Sequence, residues 1–328
     1  METWRTALNG DPLPWLLDEE TPAVRHLALR RLLDEPADSP VVRQAQDAAM
    51  RADPISAMLA AQDDQGFWGR PGRFYGPKYR GTVWSLTFLD QAGADPTHPG
   101  VRRACAYVLA HVPAPSGGLS WGAADSPLHC LHGNTMAALI AFGFAADERV
   151  RRAIDWQARA VTGEGFNSWR PGNTSGPGFA CGINGQLPCA WGAIKAIRAF
   201  ARIPPLERSP LVRKAIDQGV ELLLSRDAAR ADYPASGGVS AQWFRLGFPS
   251  GYVADLLQNL EALAAVGVTR DARLVNAVDF VLSRQDSTGR WRNDHPYAHQ
   301  TWVPFDTNHA TSKWVTLRAC TVLRAALG

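Results

Sequence analysis

The chain has 328 residues with 46% apolar, 20% charged and 9% aromatic side chains, enough to bury a large core and too apolar for a disordered or fibrous chain. Thirty-four Lys and Arg against 31 Asp and Glu leave a net charge of +3, too small for this length to suggest binding by neutralising a phosphate backbone, so nucleic acid is not an expected partner. Five cysteines point to free thiols rather than a disulfide framework, and without a secretion signal or an uninterrupted apolar span a soluble, cytoplasmic protein is expected.

Residues 1–20 read as a less regular lead-in. From there on the apolar residues recur at a period near 3.6, and no stretch shows the sustained β-branched alternation of a strand. Segments 21–33 and roughly 41–62 supply a first helical pair. The phrase Val42-Arg43-Gln44-Ala45 returns as Val101-Arg102-Arg103-Ala104, Val150-Arg151-Arg152-Ala153 and Val212-Arg213-Lys214-Ala215, with Leu274-Val275-Asn276-Ala277 as a worn copy. Pro or Asp precedes each (Asp38 and Pro40, Pro99, Asp147, Pro210, Asp271), as capping and a fixed first-turn φ require. In 211–224 the residues Val212, Ala215, Ile216, Val220 and Leu223 share one face, which makes that helix amphipathic.

Between these lie helices with little polar surface: 82–92, 134–144, 190–201, 252–266 and 312–327. In 134–144 no residue is charged, so that helix must be covered on most sides. Alternation of the two kinds predicts an all-α fold, an α/α toroid of about six hairpins, with the apolar helices as an inner ring and the amphipathic ones outside, in a single domain over 1–328. An open, curved helical solenoid is the alternative.

Gln62-Asp63-Asp64-Gln65-Gly66-Phe67-Trp68 and Gln285-Asp286-Ser287-Thr288-Gly289-Arg290-Trp291 both fit Q-x-x-x-G-x-W, with degenerate copies at 117–121 and 165–169. The pattern resembles the repeat motif of the squalene-cyclase and protein-prenyltransferase superfamily, and with the helix phrases the likeness runs from about residue 21 to the end. It implies a terpenoid cyclase-like single toroid with an isoprenoid or other apolar ligand in an aromatic cavity. The likeness leaves the reaction open. The Asp-x-Asp-Asp acid of the class II cyclases is absent, Asp63-Asp64 reads as a solvated turn, and the Asp-x-Cys of the prenyltransferase zinc site does not occur.

In such a ring the N-terminal ends of the inner helices converge on one rim, and those ends carry the ionisable and thiol groups. Asp255, in an apolar segment, is a candidate acid that would hold its proton when desolvated; a cap or an ion pair is the structural alternative. His132 with Cys130, Cys181 and Cys189 is a candidate acid/base or nucleophile set, loosely similar to that of the α/α-barrel linalool dehydratase-isomerase; a zinc site or plain core packing remain alternatives. Arg73, Lys78 and Arg80, aided by Lys313, could clamp a diphosphate or carboxylate, and Trp84, Trp191 and Trp314 could line the cavity and shield a cation. Tyr79, Asn134 and Tyr252 stand at the same ends as further substrate contacts, and the Gly-rich stretch 163–188 is a candidate lid. The expected function is acid/base chemistry of cyclase, isomerase or dehydratase type on an apolar molecule, without a cofactor or a metal. A non-catalytic lipid- or protein-binding module and a zinc-dependent prenyl transferase are the alternatives, and the oligomeric state stays open.

Overall fold

Ser39, Asp147 and Ser209 each accept a hydrogen bond from a backbone N–H two or three residues on, and Pro40 and Pro210 stand in the first turns, so these helices start where the recurring phrase begins. The computed structural model describes residues 3–122, 125–167, 169, 172, 174–306 and 309–328. Its helices are the single turns α1 (Thr3–Thr6) and α2 (Leu13–Leu16), then α3 (Pro22–Leu32), α4 (Pro40–Arg51), α5 (Ile55–Ala60), α6 (Thr82–Gln91) and α7 (Pro99–His111). They continue as α8 (His129–Ala141), α9 (Glu148–Thr162), α10 (Ala190–Ala201), α11 (Pro210–Leu224), α12 (Leu256–Ala265), α13 (Val275–Ser283) and α14 (Lys313–Leu327). Among the described residues the only strands are β1 (Ser175–Gly176) and β2 (Ala180–Cys181), antiparallel, with Ser175 opposite Cys181. The fold is all-α.

Helices α6, α8, α10, α12, α14 and α3 follow one another as packed neighbours, and α4, α7, α9, α11 and α13 each lie against the inner helix that precedes them in the chain. α6 and α8 are buried almost all round, whereas α9 buries one face. The two ends of the chain meet. Arg324 of α14 donates to the Arg31 carbonyl of α3 at 2.8 Å and pairs with Asp34, and the turn after α6 at Gly93 rests on Leu27 and His26 of α3. The ring is therefore closed rather than an open solenoid.

Tryptophans fix the joints. In both Q-x-x-x-G-x-W segments the indole N–H donates to a carbonyl ten residues back, Trp68 to Met58 and Trp291 to Val281, each at 2.7 Å. Both tryptophan backbone N–H groups donate at 3.0 Å to a threonine of the next inner helix, Thr82 or Thr316. The glutamines tie the turn to the neighbouring unit, Gln62 Nε2 to the Gly100 carbonyl and Gln285 Oε1 to the Asn9 N–H. Gly66 has φ +100°, and a Cβ there would lie 2.4 Å from the Arg103 carbonyl oxygen, so only glycine fits. Asp63 sits in this turn, its carboxylate accepting the Gln65 N–H.

The middle of the ring is filled. α12 begins at Leu256 rather than at 252, because residues 247–251 run through the ring interior with their backbone bonded to side chains from its walls. Gln91 of α6 exchanges two 2.8 Å bonds with Ser250, Asn293 both donates to and accepts from Phe248, and Asn134 of α8 donates to the Gly251 carbonyl at 3.1 Å. Phe248 stacks on Trp314 with ring centroids 4.4 Å apart. Among the described residues, this segment thus occupies the centre of the ring.

Candidate functional site

The cavity lies to one side, over the N-terminal ends of α8 and α10, where Gly192 lets the two helices approach: a Cβ there would meet that of His129 at 2.9 Å. Its volume is about 850 Å³. Aromatic walls come from Tyr75, Trp121, Trp191, Tyr233, Trp243 and Tyr252, and the loops 181–184 and 231–240 form the rim. Asn184 pins those loops together, donating to the Pro234 carbonyl at 3.0 Å and accepting the Ser236 N–H at 3.1 Å. Ile183 and Val239 stand at the mouth, 64% and 50% exposed. Among the described lining residues there is no Asp, Glu, His, Lys or Arg.

Three thiols face this space: Cys130 from the first turn of α8, Cys181 from β2 and Cys189 from the N-cap of α10. The short ladder that pairs Ala180 with Pro188 brings Cys181 and Cys189 to the same face. A hydrogen bond from the Cys189 thiol, with the backbone N–H groups of Asn184 and Ile183 and the Ser175 hydroxyl, brings Cys181 down to about 6. Cys189, the donor of that bond, is raised well above its ordinary value, and burial pushes Cys130 up to about 12. The pair is therefore driven apart in acidity, Cys181 toward the thiolate and Cys189 toward the thiol. Cys105 and Cys320 are core residues, each raised by burial to about 12.

Several expected site residues lie elsewhere. Asp255 caps α12, accepting the Gln258 N–H, and meets Arg318 through two contacts of 3.2 Å, so it is committed to a cap and an ion pair and does not line the cavity. His132 is wholly buried, its ring 4.8 Å from that of Trp156, and burial lowers it to about 3. It does not join the thiols. Its neighbour His129 is held by Gln157 at 2.5 Å and by the Gly176 carbonyl at 3.0 Å. Among the described residues no group of three or more His, Cys, Asp and Glu is placed to hold a metal ion, so the zinc alternative for Cys130, His132, Cys181 and Cys189 is not assembled.

The cationic clamp is not assembled either. Arg80 donates to the carbonyls of Thr301 and His299, Lys313 pairs with Asp18, and Arg73 is exposed and does not line the cavity. Lys78 alone reaches a lining residue: its Nζ donates to Tyr252 Oη at 3.3 Å and lies over the Tyr252 ring. Trp84 and Trp314 are packed in the filled centre, as is Tyr79 against Tyr297 at 4.2 Å, and Asn134 serves the 247–251 segment. Trp191 and Tyr252 do line the cavity, with ring centroids 6.3 Å apart. Of the candidate lid, residues 168, 170, 171 and 173 lie outside the described residues; Cys181, Ile183 and Asn184 from the same stretch form part of the wall.

No protein-family model and no curated protein matches the sequence. Among solved structures the chain is similar to the type II terpene cyclase MstE from Scytonema, at 15% identity over 94% of this chain and 88% of that one, with a TM-score of 0.47. A variant of that enzyme in complex with its substrate geranylgeranyl dihydroxybenzoate matches over the same shares, with the same identity and score. A protein from Actinoplanes is similar at 14% identity over 94% of this chain and 90% of that one, TM-score 0.40. Likeness of this degree carries no chemistry across. What the cavity can do follows from its own groups: it can bury an apolar molecule and offer it three thiols, of which Cys181 is the readiest to ionise, and phenol hydroxyls.

The sequence reading missed Tyr75, Trp121, Asn184, Tyr233 and Trp243. One signal was available: the connection from Leu224 to Leu256 is far longer than a passive turn and holds Tyr233-Pro234-Ala235-Ser236-Gly237-Gly238, as a loop that builds a site often does.

Proposed function

We propose that this protein is an enzyme of isomerase or lyase type that takes an apolar, isoprenoid-like molecule into the side cavity and acts on it through the Cys181–Cys189 pair, Cys181 as base or nucleophile and Cys189 as proton donor. The single observation that supports this reading most is that pair, two thiols facing one cavity walled by aromatic and aliphatic side chains, with the pKa of Cys181 lowered and that of Cys189 raised. Asp255 has no part in the reaction, since its charge is committed to Arg318.

Incubation with ten- to twenty-carbon isoprenoid alcohols, aldehydes and diphosphates, followed by mass spectrometry, tests the reading. New products should form with the wild type and with Arg73→Ala, and should vanish with Cys181→Ala and with Cys189→Ala. Turnover that survives both cysteine substitutions would refute the assignment. Saturable quenching of tryptophan fluorescence by these molecules without any product would favour the binding module instead, because Trp121, Trp191 and Trp243 line the cavity.

A further inference from the structure

The cavity offers no carboxylic acid, imidazolium or ammonium among its described lining residues, and a thiol is too weak an acid to protonate an isolated alkene. The groups present suit a different electrophile. A thiolate adds readily to a carbon–carbon double bond conjugated with a carbonyl, provided something stabilises the charge that moves to oxygen. Tyr252 can do so. Its oxygen accepts from Lys78 at 3.3 Å, which leaves its own hydroxyl proton for a second oxygen, and the lysine charge lies over its ring. The phenol is also held in place: Gly251, the residue before it, is bonded by Asn134, and its ring packs between those of Trp84 and Trp191.

We infer that the cavity takes an apolar α,β-unsaturated aldehyde or ketone, with Cys181 adding to the β-carbon and Tyr252 hydrogen-bonding the carbonyl oxygen. The inference rests on the functional reading above and names its substrate class. The sulfur supplies the electron pair of the new C–S bond, the π pair of the double bond moves into an enolate, and the enolate oxygen accepts the Tyr252 hydrogen bond. The former double bond is then single and rotates. Collapse of the enolate expels the Cys181 thiolate and restores the double bond with E and Z geometry exchanged, with no net gain or loss of protons or electrons. Alternatively the Cys189 thiol delivers its proton to the α-carbon and leaves a saturated thioether on Cys181. The cavity walls accept a chain about the size of a terpenoid enal or a larger homologue, and the aperture beside Ile183 and Val239 is apolar enough to admit it.

The probe is a single geometric isomer of citral, a ten-carbon isoprenoid enal, supplied to the full chain. Gas chromatography should show the other isomer appearing faster than in buffer, and intact-mass and peptide analysis should place any adduct on Cys181 rather than on Cys130 or Cys105. Cys181→Ala should abolish both signals. Tyr252→Phe should slow isomerisation by about a hundredfold through a fall in kcat, as expected for loss of one oxyanion donor. Binding of the enal with neither isomerisation nor adduct, or an adduct on another cysteine, overturns the inference. Product formation from isoprenoid alcohols alongside that result would leave the broader reading standing, so the two failures are distinct.

Discussion

Arg318 meets Asp255 through two nitrogen–oxygen contacts of 3.2 Å and donates with the same guanidinium to the Gly247 carbonyl, whose N–H in turn donates to Asp255 at 3.1 Å. The ion pair and the first residue of the segment that fills the ring are one unit. Glu261 completes it, accepting twice from Arg318 at 2.8 Å. A charge buried at this depth is tolerated only because every partner is present.

Asp255→Asn keeps the shape and removes the charge, which leaves the Arg318 guanidinium with the Glu261 carboxylate and the Gly247 carbonyl. A loss of about 3 kcal/mol is expected, the lower end for breaking a buried pair. Urea unfolding should show a lower midpoint with an unchanged slope; a midpoint equal to the wild type's would mean the pair does not hold the segment.

Thiol reactivity should follow the environment of Cys181. With its value near 6, alkylation by iodoacetamide should rise from pH 5 and level off above pH 7, measured at Cys181 by peptide mapping. Cys189→Ala removes the largest stabilising hydrogen bond, so the curve should move up toward the ordinary thiol range near about 8.5. A curve that stays put would show that the neighbouring backbone N–H groups suffice.

Acid should destabilise the fold through two histidines. Burial lowers His129 to about 4 and His132 to about 3, against 6.5 for an ordinary imidazole, so the unfolded chain binds the protons first. Their contribution is therefore complete above pH 6.5 and is lost as the pH falls through the interval down to 4 and 3. For His129 alone the loss by pH 4 is on the order of 3 kcal/mol. Thermal melts between pH 7.5 and 4.5 should show a falling transition, and His132→Phe should flatten its slope.

Gly133→Ala tests the closest helix contact in the ring. A Cβ at that position would lie 2.6 Å from the Lys195 carbonyl carbon, backbone that cannot step aside, so α8 and α10 must separate. The expected cost is about 1–3 kcal/mol, read as a lower melting temperature. Gly237→Ala, with nothing within 4 Å, is the control and should melt with the wild type.

The alternating helices, the positions of the outer starts and the repeated Q-x-x-x-G-x-W turns were legible in the sequence, because capping, periodicity and turn motifs act over a few residues. Trp68 and Trp291, which stand in matching motifs, make matching bonds in the structure. The site was legible only in part. Cys130, Cys181 and Cys189 do meet, yet Asp255 and His132, chemically as suggestive on paper, are committed to Arg318 and to packing on Trp156.

Sequence alone determined an all-α chain of paired helices with free thiols and repeated Q-x-x-x-G-x-W turns, since these depend on local spacing and composition. Tertiary structure alone decided that residues 247–251 fill the ring, that the cavity lies to the side, and that Cys189 rather than a histidine faces Cys181. The reason is physical. Partners such as Gln91 and Ser250, 159 residues apart, are set by which backbone groups need a hydrogen bond once the ring has closed, and no local pattern records that need.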